Sequence, residues 1–191
     1  MTRVIGGVAG GRRLAVPPGN GTRPTSDRAR EALFSAVWAR LGDLDGARVL
    51  DAYAGSGAVG LEALSRGAAH VLLIESDPRA ARTVRANAAA LGLPGARVVA
   101  DRVERVLARP PGDGPYDLVF LDPPYAVSDA AVTGHLDALR EHGWPAPGAL
   151  VVVERATRGA ALTWPAGYEP DRARRYGEAT LWYGRAASAR G

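Results

Sequence analysis

Between residues 47 and 154, near-continuous apolar runs alternate with stretches whose apolar positions recur at helical spacing. The runs at 47–51, 70–75, 96–100, 116–121 and 149–154 read as strands buried on both faces. Helices are predicted over 59–65, 78–91, 102–108 and about 129–142, with Pro78 in a first turn where its missing N–H costs nothing. Two weaker strands are expected near 160–164 and 179–184. This alternation predicts an α/β fold, a mostly parallel sheet with helices on both faces.

The first 45 residues follow another pattern. Val4-Ile5 and Leu14-Ala15-Val16, separated by a Gly/Arg-rich stretch, predict a hairpin. Thr25-Ser26-Asp27 is an N-cap cluster, and Leu33, Val37 and Leu41 give the helix behind it one apolar stripe. The expected organisation is an N-terminal extension over 1–45, an α/β domain over 46–185 and a frayed tail over 186–191.

Composition narrows the picture. A chain of 191 residues is one domain in size, and 47% hydrophobic with 23% charged residues is ordinary globular usage. The absence of cysteine excludes a disulfide framework, Cys-ligated zinc and iron–sulfur clusters. No apolar run approaches the ~20 residues of a membrane helix, and no signal-peptide core follows Met1. A cytoplasmic monomer without membrane contact or metal is expected. Charge placement says more than the net +4. Residues 1–30 hold six Arg against Asp27 alone, residues 155–191 hold seven Arg against three acids, and the middle holds eleven Arg against sixteen acids. With no lysine present, every basic side chain is a guanidinium, suited to forked phosphate contacts. Basic ends suit a polyanion and an acidic middle suits a small cation. Arg12 and Arg13 beside the hairpin glycines, and Arg23 and Arg28 flanking the N-cap cluster, are the candidate RNA-binding residues.

Two motifs carry chemistry. Gly55, Gly57 and Gly60 follow a strand and open a helix in the G-x-G-x-x-G spacing of dinucleotide sites, with Ser56 between the first two. Asp51 on the preceding strand would repel a pyrophosphate but attract the ammonium and sulfonium of S-adenosylmethionine. Glu75 ends the next strand, where a carboxylate can accept from ribose hydroxyls, and Asp101 follows the third, placed to meet an adenine amino group. The second motif is Asp122-Pro123-Pro124-Tyr125. Two prolines fix φ and remove N–H groups, so the turn offers rigid acceptors, the Asp122 carboxylate and the Pro123 carbonyl. Those acceptors suit the exocyclic NH2 of a base, and Tyr125 offers a face for stacking. His70, His135 and His142 are read as structural.

Asp-x-x-x-Gly-x-Gly together with Asp-Pro-Pro-Tyr resembles the S-adenosylmethionine-dependent amino-methyltransferases of nucleobases. More narrowly, Arg23-Pro24-Thr25-Ser26-Asp27-Arg28, the run from Arg30-Glu31-Ala32-Leu33-Phe34, residues 54–68 and Tyr176-Gly177 resemble the small bacterial 16S ribosomal RNA (guanine-966)-N2 methyltransferases. Tyr53 stands where that family's pattern leads one to expect phenylalanine. The resemblance implies a class I methyltransferase, Rossmann-like fold with seven strands, S-adenosylmethionine over the first two, and the target base at residues 122–125. It also implies 16S ribosomal RNA, or the small-subunit particle, as partner. A DNA adenine or cytosine amino-methyltransferase is a second reading, although 191 residues leave no room for a target-recognition region. A non-catalytic RNA-binding assembly factor is a third, and a NAD-dependent dehydrogenase is disfavoured for want of a hydride-transfer acid or base.

Overall fold

The structure, a computed structural model, describes residues 2–19 and 25–188. Seven strands form one sheet: β3 (Arg48–Ala52), β4 (His70–Ile74), β5 (Ala96–Val99), β6 (Tyr116–Leu121), β7 (Pro145–Ala156), β8 (Tyr168–Tyr176) and β9 (Ala179–Ala186). Their order is β5-β4-β3-β6-β7-β9-β8. The β5-to-β7 part is parallel, and β9 and β8 complete it antiparallel. This is a Rossmann-like α/β fold, a mostly parallel sheet with helices on both faces.

Helices α1 (Asp27–Leu41), α2 (Ala58–Ser65) and α3 (Pro78–Leu91) cover one face through Leu33, Phe34, Val37, Leu61, Leu64 and Val84. On the other face, α4 (Val103–Leu107) and α5 (Asp129–Glu141) pack Val103, Leu107, Val132, Leu136 and Leu139. The caps follow local chemistry: Ser26 Oγ accepts the Ala29 N–H, Asp77 accepts the Arg79 N–H, and Ser128 Oγ accepts the Ala131 N–H. Among the described residues, no helix is long and apolar enough to cross a membrane.

The hairpin forms in a different register from the expected one. β1 (Thr2–Arg3) pairs with β2 (Arg13–Leu14), not Val4-Ile5 with residues 14–16. The reason is a competing acceptor: the Ile5 and Gly6 N–H groups donate to the two Glu62 carboxylate oxygens at 2.8 and 2.9 Å, and Ala15 exchanges hydrogen bonds with the Asn87 side chain. The extension shares the main core, since Val4, Ala9 and Leu14 lie in the same cluster as Val49 and Leu61.

The C-terminal half brings two further corrections. Residues 160–164 form no strand. Leu162 and Trp164 are apolar because they pack against the core, and Trp164 lies against Gly184 and the Tyr168 ring. The strand there is β8, and β9 runs on to Ala186, which is buried rather than frayed.

Candidate active site

Register places the acids. β3 pairs with β6 so that Asp51 lies beside Phe120, and β6 pairs with β7 so that Phe120 lies beside Val152. Side chains two apart on a strand share a face, so Asp122 and Glu154 emerge side by side at the carboxyl edge, on the face that carries Asp51. Strand order reverses at β3, which makes this edge the switch point where open α/β sheets bind ligands. A cavity of about 810 Å³ opens there. Its wall includes Asp51, Gly55, Ser56, Glu75, the 122–125 turn and Glu154. Val16, Pro17, Thr25 and Ala29 of the extension close it from the other side.

Asp51 is 1% exposed, and its Oδ2 accepts the Gly60 N–H at 2.9 Å in the first turn of α2. Burial pushes its carboxyl up to about 8, opposed by the Gly60 N–H and reinforced by Glu75. Glu75 spans the loop: Oε1 accepts the Gly55 N–H at 2.9 Å and Oε2 the Asp77 N–H at 2.8 Å. Each oxygen keeps a second lone pair for a ligand hydroxyl. Gly57 is absent from the wall. It takes a left-handed φ of 84°, and an added Cβ would meet Val84, Leu61 and Leu73 at 3.1–3.3 Å. At Gly60 a Cβ would come within 2.8 Å of Leu73 and Val71, so α2 lies directly on β4.

Tyr53 lines the cavity from a strained left-handed backbone, φ 64°. Its Oη lies 2.6 Å from His135 Nε2. Burial raises the tyrosine to about 12 and lowers the histidine, so the pair stays neutral and holds the ring by a hydrogen bond. Asp122 sits 3.5 Å from the Thr25 hydroxyl. Its carboxyl is pushed well above the carboxylate range, first by burial and then by Glu154 and Asp51, with Thr25 opposing. Tyr125 is 67% exposed at the cavity mouth. Behind it, Arg155 donates to the Val127 carbonyl at 2.8 Å and to Asp129 at 3.1 Å, which fixes the loop that carries the aromatic ring.

The structure thus brings Asp51, Gly55, Ser56, Glu75, Asp122, Pro123, Pro124 and Tyr125 around one cavity. It does not bring Asp101 there. That carboxylate accepts the Arg102 N–H at 2.7 Å and faces Arg105 Nε at 3.7 Å, because it is consumed at the start of α4. Arg12, Arg13 and Arg28 are exposed away from the wall, Arg12 donating to the Ala90 carbonyl, and Arg23 lies outside the described residues. Sequence reasoning missed Glu154, Thr25 and the Tyr53–His135 pair. For Glu154 the signal was the one used for Asp51 and Glu75, an acid closing an apolar run.

Comparison with known proteins adds the following. Residues 2–185 match the family model described as "Conserved hypothetical protein 95". The chain is 41% identical over 166 residues to ribosomal RNA small subunit methyltransferase D of Escherichia coli K12, covering 87% of this chain and 80% of that protein. It is 36% identical over 154 residues to the protein of that name from Haemophilus influenzae, covering 80% and 77%. A solved Escherichia coli chain, yhhF, superposes with a TM-score of 0.84 at 36% identity over 97% of both chains.

Proposed function

The chain belongs to the family of the ribosomal RNA small subunit methyltransferase D enzymes, and from that premise we propose that it methylates the exocyclic 2-amino group of a guanine in 16S ribosomal RNA with S-adenosylmethionine as donor. The observation that carries the reading is that the glycine loop with Asp51 and Glu75, and the 122–125 turn with Tyr125, share one cavity. A donor with a cationic centre and a nucleobase therefore have adjoining places.

The residues fit the donor. Asp51 sits buried beside the glycine loop, and such a carboxyl favours a cation and disfavours a pyrophosphate. Glu75 would receive the ribose hydroxyls, while Gly55 and Ser56 let the backbone approach closely. S-adenosylmethionine supplies an electrophilic methyl group when bound. The chain's own work lies at the base: Asp122 accepts a hydrogen bond from the amino group and turns its lone pair toward the donor, and Tyr125 stacks the ring. Val16, Pro17 and Tyr53 supply wall to the same cavity.

RNA would be held outside the cavity by exposed arginines. Arg12, Arg13 and Arg28 lie in the extension, and Arg172, Arg174 and Arg175 on the exposed edge strand β8, which ends at the cavity rim with Tyr176. The extension and the 46–185 region act as one unit in this reading, and a monomer suffices. Incubation with methyl-labelled donor and separate pools of small-subunit RNA, small subunits, transfer RNA and DNA tests it. Label is expected in the small-subunit pools; uptake by DNA alone overturns the reading.

A further inference from the structure

Asp-Pro-Pro-Tyr explains how an amino group is presented but not which base carries it. Adenine, cytosine and guanine all have an exocyclic NH2. What differs is the adjoining ring nitrogen: N1 of adenine and N3 of cytosine are acceptors, whereas N1 of guanine carries a hydrogen. A site that selects guanine needs a second acceptor next to the one that holds the amino group.

Glu154 is placed for that. It lines the cavity, is 8% exposed, and stands beside Asp122 because β6 and β7 are paired in parallel with Leu121 opposite Val153. Neighbouring strands are ~4.8 Å apart, so carboxyls from matched positions present acceptor atoms a few ångströms from each other. Building on the proposed function, we infer that Glu154 reads the base: its carboxylate accepts the N1–H of the target guanine while Asp122 accepts from the 2-amino group. Guanine then meets two acceptors with two donors, and adenine or cytosine would set a lone pair against the Glu154 carboxylate.

The electrostatics agree with this placement. Asp122 is pushed well above the carboxylate range, first by burial and then by the Glu154 carboxyl beside it, so the two carboxyls stand close enough to interact. Methylation forms the N2–C bond, breaks the donor's S–C bond and releases one proton from N2. The Asp122 carboxylate, which accepts from that amino group, takes the proton.

The test uses two small-subunit RNA fragments spanning the labelled guanine, identical except that one carries 2-aminopurine there. This analogue keeps the 2-amino group but has a bare lone pair at N1. Two readouts are taken: single-turnover methyl transfer, and binding without donor, followed by competition anisotropy and by quenching of 2-aminopurine fluorescence. The parent protein is expected to prefer guanine roughly 10–100-fold. Glu154→Gln, whose amide can either donate to a bare N1 or accept from N1–H, should bring that preference below about threefold. Its melting temperature and donor affinity should match the parent's. A Glu154→Gln protein that keeps the parent's preference in both readouts overturns the inference and leaves the proposed function standing. If the parent protein labels no guanine in any small-subunit pool, both fall. Should the amide variant not fold, Glu154→Asp serves: guanine transfer is expected to drop about tenfold with 2-aminopurine transfer unchanged, and undiminished guanine transfer refutes the assignment.

Discussion

Removing Glu62 should unfasten the N-terminal extension from the sheet domain. The side chain is fully buried and makes four polar contacts: the Ile5 and Gly6 N–H groups at 2.8 and 2.9 Å, Arg66 Nε at 2.8 Å and Arg30 Nε at 3.4 Å. Arg30 is itself buried and also donates to the Arg3 carbonyl and to Asp27. Burial lowers the Arg30 pKa, with Glu62 as its strongest counterweight. In Glu62→Ala the guanidinium keeps the neutral Arg3 carbonyl and, as counter-charge, the half-exposed Asp27, and two backbone N–H groups lose their acceptor. Truncating one partner of a buried ion pair typically costs about 3–5 kcal/mol. For a chain of this size that corresponds to a fall of roughly 6–20 °C in melting temperature. Circular dichroism melts and urea titration measure it. The double variant Glu62→Leu/Arg30→Leu should lose less than the two single changes together, because no unpaired charge stays buried. A shift in Glu62→Ala below about 3 °C, or strictly additive losses in the double variant, would refute the network. Since the extension supplies Val16, Pro17, Thr25 and Ala29 to the cavity wall, Glu62→Ala should also weaken donor binding although Glu62 is not on that wall.

Asp51 ties stability and binding to pH. Its folded carboxyl at about 8 lies above the ordinary 3.8, so the stability it lends is complete below about pH 4 and is lost as pH rises through 8. Asp51→Asn should flatten that decline in a melting series from pH 5 to 9. A bound cation favours the charged form, so donor affinity in the parent should strengthen from pH 6 to 8, by at most about tenfold per unit, and calorimetry on Asp51→Asn should show no such rise. Glu75→Ala should weaken donor binding about 10–150-fold through lost hydrogen bonds to the ribose; unchanged affinity removes Glu75 from the site. Asp122→Ala and Tyr125→Ala should slow single-turnover transfer strongly, about 10²–10⁴-fold for the aspartate, with donor affinity intact; normal rates in both would reduce the turn to a strand terminator. Arg12→Ala/Arg13→Ala should lower the salt slope of RNA binding by roughly one to two units, and a slope equal to the parent's moves the phosphate contacts elsewhere, with the β8 arginines next in line.

The parts of the fold legible in the sequence are those whose signal is local and apolar. β3, β4 and β6 are buried runs ending in acids, and the glycine loop and the Asp-Pro-Pro-Tyr turn are spelled by adjacent residues. β8 was invisible because Glu169 through Arg175 are exposed; its strand character comes entirely from pairing with β9. The hairpin register was equally hidden, since it depends on Glu62, which lies 57 residues beyond Ile5. At the site, strand-end acids look alike as letters. Glu75 and Asp101 were assigned similar roles, yet Glu75 reaches over the glycine loop while Asp101 turns to the Arg102 N–H. Glu154 was passed over although it closes its run just as they do. What singles it out is the β6–β7 register, a relation between segments about 30 residues apart.

The most direct test of the whole account is the identity of the methylated nucleoside. Small-subunit RNA free of this modification is incubated with the protein and methyl-labelled S-adenosylmethionine, digested to nucleosides and separated with mass detection. The account predicts label in N2-methylguanosine alone, lost in Asp122→Ala. Label in N6-methyladenosine or in a methylated cytidine, or N2-methylguanosine formed at the parent rate by Asp122→Ala, would contradict it.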